Sequence, residues 1–175
     1  MHRVAGALLI ASLLFHAVHL YLRRSDRTIL RYLIPRPQDL RDALQAFAYN
    51  LGLRREPPRF FMFSYAEKAE YLAFVWGSVI MAVSGLMLWF NDWTLRHFPK
   101  WLSDAATAVH WYEAILASLA ILVWHFYMVI FDPDVYPMDR AWLTGRASAD
   151  HLRHGRPVYY RWLRRFSRGE PPPRS

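Results

Sequence analysis

Two pairs of histidines lie inside apolar stretches at nearly matched internal distances: His2 with His16 near the start of the chain, and His110 with His125 further on. On a uniform α-helix a step of fourteen residues rotates a side chain by about 1,400°, leaving it within about 40° of the first, and fifteen leaves it within about 60°. Each helix therefore shows both imidazoles on roughly one face. Fourteen residues also climb about 21 Å, so the members of a pair sit at opposite depths of a hydrocarbon layer about 30 Å thick. Two such helices side by side make two imidazole pairs, one above the other. That arrangement is what two stacked haems with histidine on both axial faces require. His2, His16, His110 and His125 are the predicted axial ligands.

The elements that must carry these side chains are legible as apolar blocks, although mean hydropathy over the whole chain is close to zero. Residues 4–22 hold no acidic or basic residue besides His16 and His19, residues 71–90 hold none, and 105–131 are interrupted only by His110, Glu113 and His125. Each block suffices to cross a bilayer, which takes about 20 mainly apolar residues. Gly77 and Gly85, with Ser78, Ala82 and Ser84, suit a lipid-embedded helix and let a neighbour approach closely. The predicted fold class is all-α, an integral membrane helical bundle with spans at about 2–22, 66–90 and 105–131.

A net charge of +8 invites a nucleic-acid reading, because a basic surface is the usual footprint for phosphate. The placement of the charges argues against it. Residues 23–68 carry ten Lys or Arg and five Asp or Glu, residues 132–175 carry nine and five, and the connection 91–109 carries two of each. Under the positive-inside rule the N-terminus is periplasmic, 23–68 cytoplasmic, 91–109 periplasmic and the tail cytoplasmic, in a multi-pass protein of the bacterial inner membrane. The first and third spans are then parallel, so that His2 meets His110 near the outer surface and His16 meets His125 near the inner one. Antiparallel helices would pair His2 with His125 instead, so topology chooses partners without demonstrating haem.

Each histidine also has a plainer reading. In a membrane helix histidine usually faces the bundle interior, where it bonds a carbonyl, lines a proton path or binds a cofactor. His19 competes with His16, but its rotation from His2 is about 100°, on another face. His97, His151 and His154 lie in polar segments and read as solvated. His2 directly follows Met1, with no earlier turn to hold it, so an upstream helix or another subunit is expected to order this end. The absence of cysteine excludes covalent c-type haem attachment, a Cys-ligated iron–sulfur cluster and disulfides. Any haem must be b-type, held by axial ligands and packing; Arg3 is placed to meet a propionate, or the lipid head groups.

Four segments together resemble a known group: FSYAEKAEY at 63–71, WGSVIMAVSGLMLW at 76–89, VHWYEAIL at 109–116 and WHFYMVIFDPDVYP at 124–137. They are similar to bacterial dihaem cytochrome b subunits, the family of the formate dehydrogenase gamma subunit and the b-type cytochrome of nickel–iron hydrogenase. The resemblance covers about residues 1–146, a transmembrane cytochrome b domain, leaving 147–175 as a basic cytoplasmic tail. Members typically have four or more membrane helices, and this chain starts where the family's second would. The resemblance implies two b-type haems and electron transfer between a membrane quinone and a periplasmic or multihaem redox subunit. It implies an electron carrier and anchor within a larger oxidoreductase, in contact with lipid and with a further helix or subunit.

Quinone reduction needs a proton source and a hydrogen-bond donor near an accessible haem edge. Ser64, Tyr65, Glu67 and Lys68, just before the second span and on the side of His16 and His125, are the candidates. The plainer reading is an Ser-x-x-Glu capping box, with Lys68 snorkelling to head groups. Glu113, one turn below His110, reads either as a proton-holding group near the outer haem or as an interfacial carboxylate. Leu40, Leu44, Phe47 and Leu51 recur at helical spacing after Pro37, and Gly52 follows as a stop, predicting an interfacial helix at about 38–51. Trp89, Phe90, Trp93, Trp101, Trp111 and Tyr112 gather toward one water boundary and Trp124, Phe126 and Tyr127 toward the other, as an interfacial belt does. The arginine-rich tail is expected to lie along the head groups and fray. The alternative function is a haem-free membrane anchor, or a proton-relay or transporter subunit whose histidines carry protons or a transition metal.

Overall fold

The structure, a computed structural model, describes residues 1–132, 136–138 and 140–167, and among these no strand occurs. Helices run in the order α1 His2–Leu22, α2 Arg24–Leu33, α3 Pro37–Asn50, α4 Tyr65–Trp89, α5 Asn91–His97, α6 Lys100–Leu119, α7 Ala141–Thr144, α8 Ala149–Gly155 and α9 Pro157–Phe166. Beyond Leu119, helix α6 continues with wider turns over Ala120–His125 and Tyr127–Phe131, where the amide of Asp132 donates to the Tyr127 carbonyl five residues back. Among the described residues three helices are long and apolar enough to cross a membrane: His2–Leu22, Tyr65–Trp89 and Lys100–Phe131. The fold is all-α, as the apolar blocks require. The wider turns are a correction to the sequence reading, because a step of about 100° per residue does not apply where the ladder leaves the α register.

The chain divides into two compact units: Met1–Arg31 with Glu70–Trp124, and Tyr32–Ala69 with His125–Ser175. In the first, the burial pattern is the reverse of a water-soluble core. The buried positions are small or hydroxylic, namely Ser78, Ser84, Thr94, Ser103 and Ala106, while Leu8, Phe15, Phe74, Trp76 and Leu122 stand exposed. In lipid no hydrophobic force separates Leu from its surroundings, so helices associate through close backbone approach at small residues and through short polar bonds. Gly77 shows the closest of these approaches, since a Cβ there would overlap the Glu113 carboxylate. At the α4–α5 junction Thr94, 1% exposed, donates to the Met87 carbonyl, and Ser103 of α6 donates to Asn91 Oδ1 at 2.7 Å.

The second unit is built differently, around charges and rings. Helix α3 opens with Pro37 in its first turn, where a missing N–H costs nothing, and Asp39 accepts the Arg36 amide at 2.6 Å. It closes at Leu51, with Gly52 at φ +73°, a conformation that glycine adopts without a Cβ clash. The Leu53 amide reaches the Ala48 carbonyl and the Gly52 amide that of Tyr49, both at 2.9 Å, completing the helix stop read from the sequence. Phe61 is the hub of an aromatic cluster with Tyr32 at 5.5 Å, Tyr159 at 5.5 Å and Trp162 at 5.8 Å between ring centroids. The tail expectation is therefore corrected over α8 and α9. Both segments are helical rather than frayed, and α9 packs on Phe61, because Tyr159 and Trp162 share a face of α9.

Candidate functional site

Helix α1 delivers His2 and helix α6 delivers His110 to the same place. Their ring centroids lie 5.9 Å apart with the planes at 89°. Beside them is a cleft of about 460 Å³ between α1 and α4, with Gly6, Leu9, Met81, Ala82 and Leu86 in its walls. Arg3 lies at its edge, the guanidinium 5.5 Å from the centre of the Trp89 ring. The cleft is mainly apolar with a few basic groups at one end, the usual composition of a cofactor site.

The local chemistry of His110 fixes which of its nitrogens is available. Ser84 Oγ donates its single proton to the Ile80 carbonyl at 2.7 Å and lies 2.9 Å from His110 Nδ1. With that proton committed, the hydroxyl accepts from Nδ1–H. This assignment, made from the hydrogen-bond network, leaves Nε2 with the lone pair that ligates a metal. Ligating histidines characteristically donate their other ring N–H to such an acceptor. Gly85 makes the placement feasible, since a Cβ there would stand 3.1 Å from His110 Cε1.

His16 is held in another way. Its Nε2 lies 3.0 Å from the Tyr71 hydroxyl of α4. His19, its competitor, stacks on Phe15 of its own helix at 5.8 Å. His125 falls in the second unit, on the wider turns of Ala120–His125, and is exposed. The outer pair of the sequence reading is thus brought together, whereas His16 and His125 belong to different units. His97 Nδ1 donates to the Trp93 carbonyl at 2.8 Å, and His154 Nδ1 to the Asp150 carbonyl at 2.9 Å, so both are turned to their own helices.

At the start of α4, Ser64 and Glu67 form the capping box: Glu67 Oε2 accepts the Ser64 amide and hydroxyl, each at 2.8 Å, and the Glu67 amide reaches Ser64 Oγ at 3.3 Å. Arg156 then grips the same carboxylate at 2.6 and 2.7 Å and donates to the Met62 carbonyl at 2.7 Å. Lys68 pairs with Asp39 at 2.6 Å, with side chains only 12% and 13% exposed. Tyr65 packs its ring 5.9 Å from Phe60. Of the residues considered for quinone contact, Glu67 and Lys68 are thus engaged in ion pairs.

Sequence reasoning missed Ser84 and Gly85 as partners of His110, Tyr71 as partner of His16, and Arg156 and Asp39 as counterions. The small residues of α4 were visible as a close-packing stripe, but which of them faces His110 depends on the helix pairing. Among the described residues no group of three or more His, Cys, Asp or Glu is arranged to hold a metal ion. A bare zinc or copper site needs three or four protein ligands. Haem needs only two, because the macrocycle supplies the other four, and with metal–imidazole bonds of about 2 Å two axial rings have centroids about 6 Å apart. The His2–His110 pair fits that group in number and spacing, and His110 has the tautomer that ligation needs.

The family profile of prokaryotic cytochrome b561 matches residues 1–137. No curated protein matches the chain.

Proposed function

The chain belongs to the prokaryotic cytochrome b561 family, membrane b-type cytochromes of electron transfer, and from that premise we propose a dihaem subunit passing electrons between the quinone pool and a periplasmic redox partner. The observation that carries the proposal is the His2–His110 pair beside the α1–α4 cleft, with Ser84 holding His110 in the ligating tautomer. A b-type haem, when bound, supplies a one-electron centre. His2 and His110 would hold one such group, and Arg3, at the cleft edge, would meet its propionate. Ala82, Gly85 and Gly6 keep the walls low enough for a flat macrocycle. His16 and His125 are proposed for the second group on the strength of their sequence spacing, and Tyr71 must then release His16 Nε2. A location in the bacterial inner membrane, N-terminus periplasmic and C-terminus cytoplasmic, follows from the positive-inside rule.

The quinone site is proposed at the start of α4, with Ser64, Tyr65, Glu67 and Lys68. Both carboxylate oxygens of Glu67 are taken up by Arg156, so its role there is to orient the α4 terminus and the Tyr65 ring. Addition of a reduced quinol analogue to the membrane-embedded chain tests the reading. It predicts haem reduction that Tyr65→Phe slows, and a haem that stays oxidised under quinol would remove the quinone function. A second reading, a haem-free proton relay, is favoured by the His16–Tyr71 bond and by Glu113 against Gly77. It predicts protein with no visible haem bands.

A further inference from the structure

On helix α9 the residues sort by face. Taking Tyr159 as reference at about 100° per residue, Trp162 and Leu163 fall within about 60°, while Pro157, Arg161 and Arg164 lie about 140° to 160° away. The first face is spent on Phe61. The opposite face, joined by Arg153 of α8 and Tyr160, lines a cleft of about 410 Å³. Arg153, Arg161 and Arg164 are all exposed, and no carboxylate stands within ion-pair distance of their guanidinium groups among the described residues. Asp150, one turn before Arg153 on α8, is the acidic residue nearest to Arg153 in sequence, and Glu67 is already held by Arg156.

We propose that this cleft binds the phosphate of an anionic phospholipid head group. Three like charges around one concavity repel one another unless an anion sits between them, and planar guanidinium forks suit phosphate oxygens. The occupant is a lipid rather than a free anion for two reasons. The cleft belongs to a membrane protein whose α9 is amphipathic, with its aromatic side anchored on the segment leading into α4. Its wall also offers Pro157 and the Tyr160 ring to the glycerol and first methylenes, which a free phosphate would not use. Basic pockets next to membrane helices are a recurrent way of recognising anionic head groups. The inference rests on membrane residence alone and is independent of how the histidines are used.

The test uses the full chain in neutral detergent, titrated with dioctanoyl phosphatidylglycerol, dioctanoyl phosphatidylcholine or inorganic phosphate. Saturable binding of the anionic lipid is expected, weakened about fivefold by Arg161→Gln and about 25-fold by Arg161→Gln with Arg164→Gln. Arg54→Gln with Arg55→Gln, an equal loss of charge at exposed positions elsewhere, should leave it unchanged. Equal weakening in that control would reduce the effect to net charge, and phosphate competing as well as the lipid would make the site one for a free anion. Either result overturns the proposal, as would unaltered binding in the Arg161→Gln protein. Circular dichroism confirms that the variants fold, and their visible spectrum should match that of the parent. Failure of lipid binding with the spectrum intact therefore leaves the electron-transfer reading standing.

Discussion

Ser84→Ala isolates the step on which the His110 assignment depends. Ser84 is 5% exposed and its hydroxyl lies 2.9 Å from Nδ1, so its loss leaves a largely buried ring N–H without its acceptor. The Ile80 carbonyl keeps its helical amide partner, so the damage is confined to the imidazole. An unsatisfied buried donor costs about 1–3 kcal/mol. Loss of the group that orients a metal-bound histidine typically weakens binding about 10-fold to 100-fold. Haem retention measured against a competing apo-haemoprotein should fall by that factor for the outer group. Ser78→Ala, at a buried serine of the same helix, should leave retention unchanged. Equal retention in Ser84→Ala and the parent would mean that Nδ1 is not the anchored nitrogen, and the tautomer argument would fail.

Other perturbations separate the remaining contacts. Gly77→Ala pushes a methyl group into the Glu113 carboxylate and should destabilise the α4–α6 packing by about 1 kcal/mol, lowering the melting temperature by about 2–4 °C; adding Glu113→Ala should restore most of it, and no recovery would place the strain elsewhere. Arg156→Ala removes a partly exposed ion pair and a carbonyl bond, worth about 1–2 kcal/mol after allowance for solvent screening, and should expose α8 and α9 to limited proteolysis. Unchanged cleavage would show that the aromatic cluster alone holds the tail. Glu67→Gln should weaken the same latch and slow quinol oxidation without changing haem content, whereas an unaltered rate would leave Glu67 only its capping role. His19→Ala should keep the full haem content, and a loss would move the ligand from His16 to His19.

What could be read from the chain follows a physical division. Helix periodicity, caps and stops act within a few residues, so the three spans, the helix Pro37–Asn50, the Ser64–Glu67 box and the Gly52 turn were all legible. The meeting of His2 with His110 was legible too, because three successive spans make the first and third parallel and both histidines lie toward the start of theirs. Contacts that depend on how elements pack were not. Arg156 and Glu67 are 89 residues apart, and nothing local to either marks the other. Ser84 looks the same as Ser78 until α6 is laid against α4. The wide turns of Ala120–His125 contain neither glycine nor proline, the usual signs of a departure from α-helical register.

A potentiometric titration of the purified chain, followed by its reduced-minus-oxidised visible spectrum and repeated on His110→Ala, tests the central assignment most directly. The account predicts two b-type components in the parent and the loss of one in the variant. A parent without b-type absorbance, or a variant that retains both components, would contradict it.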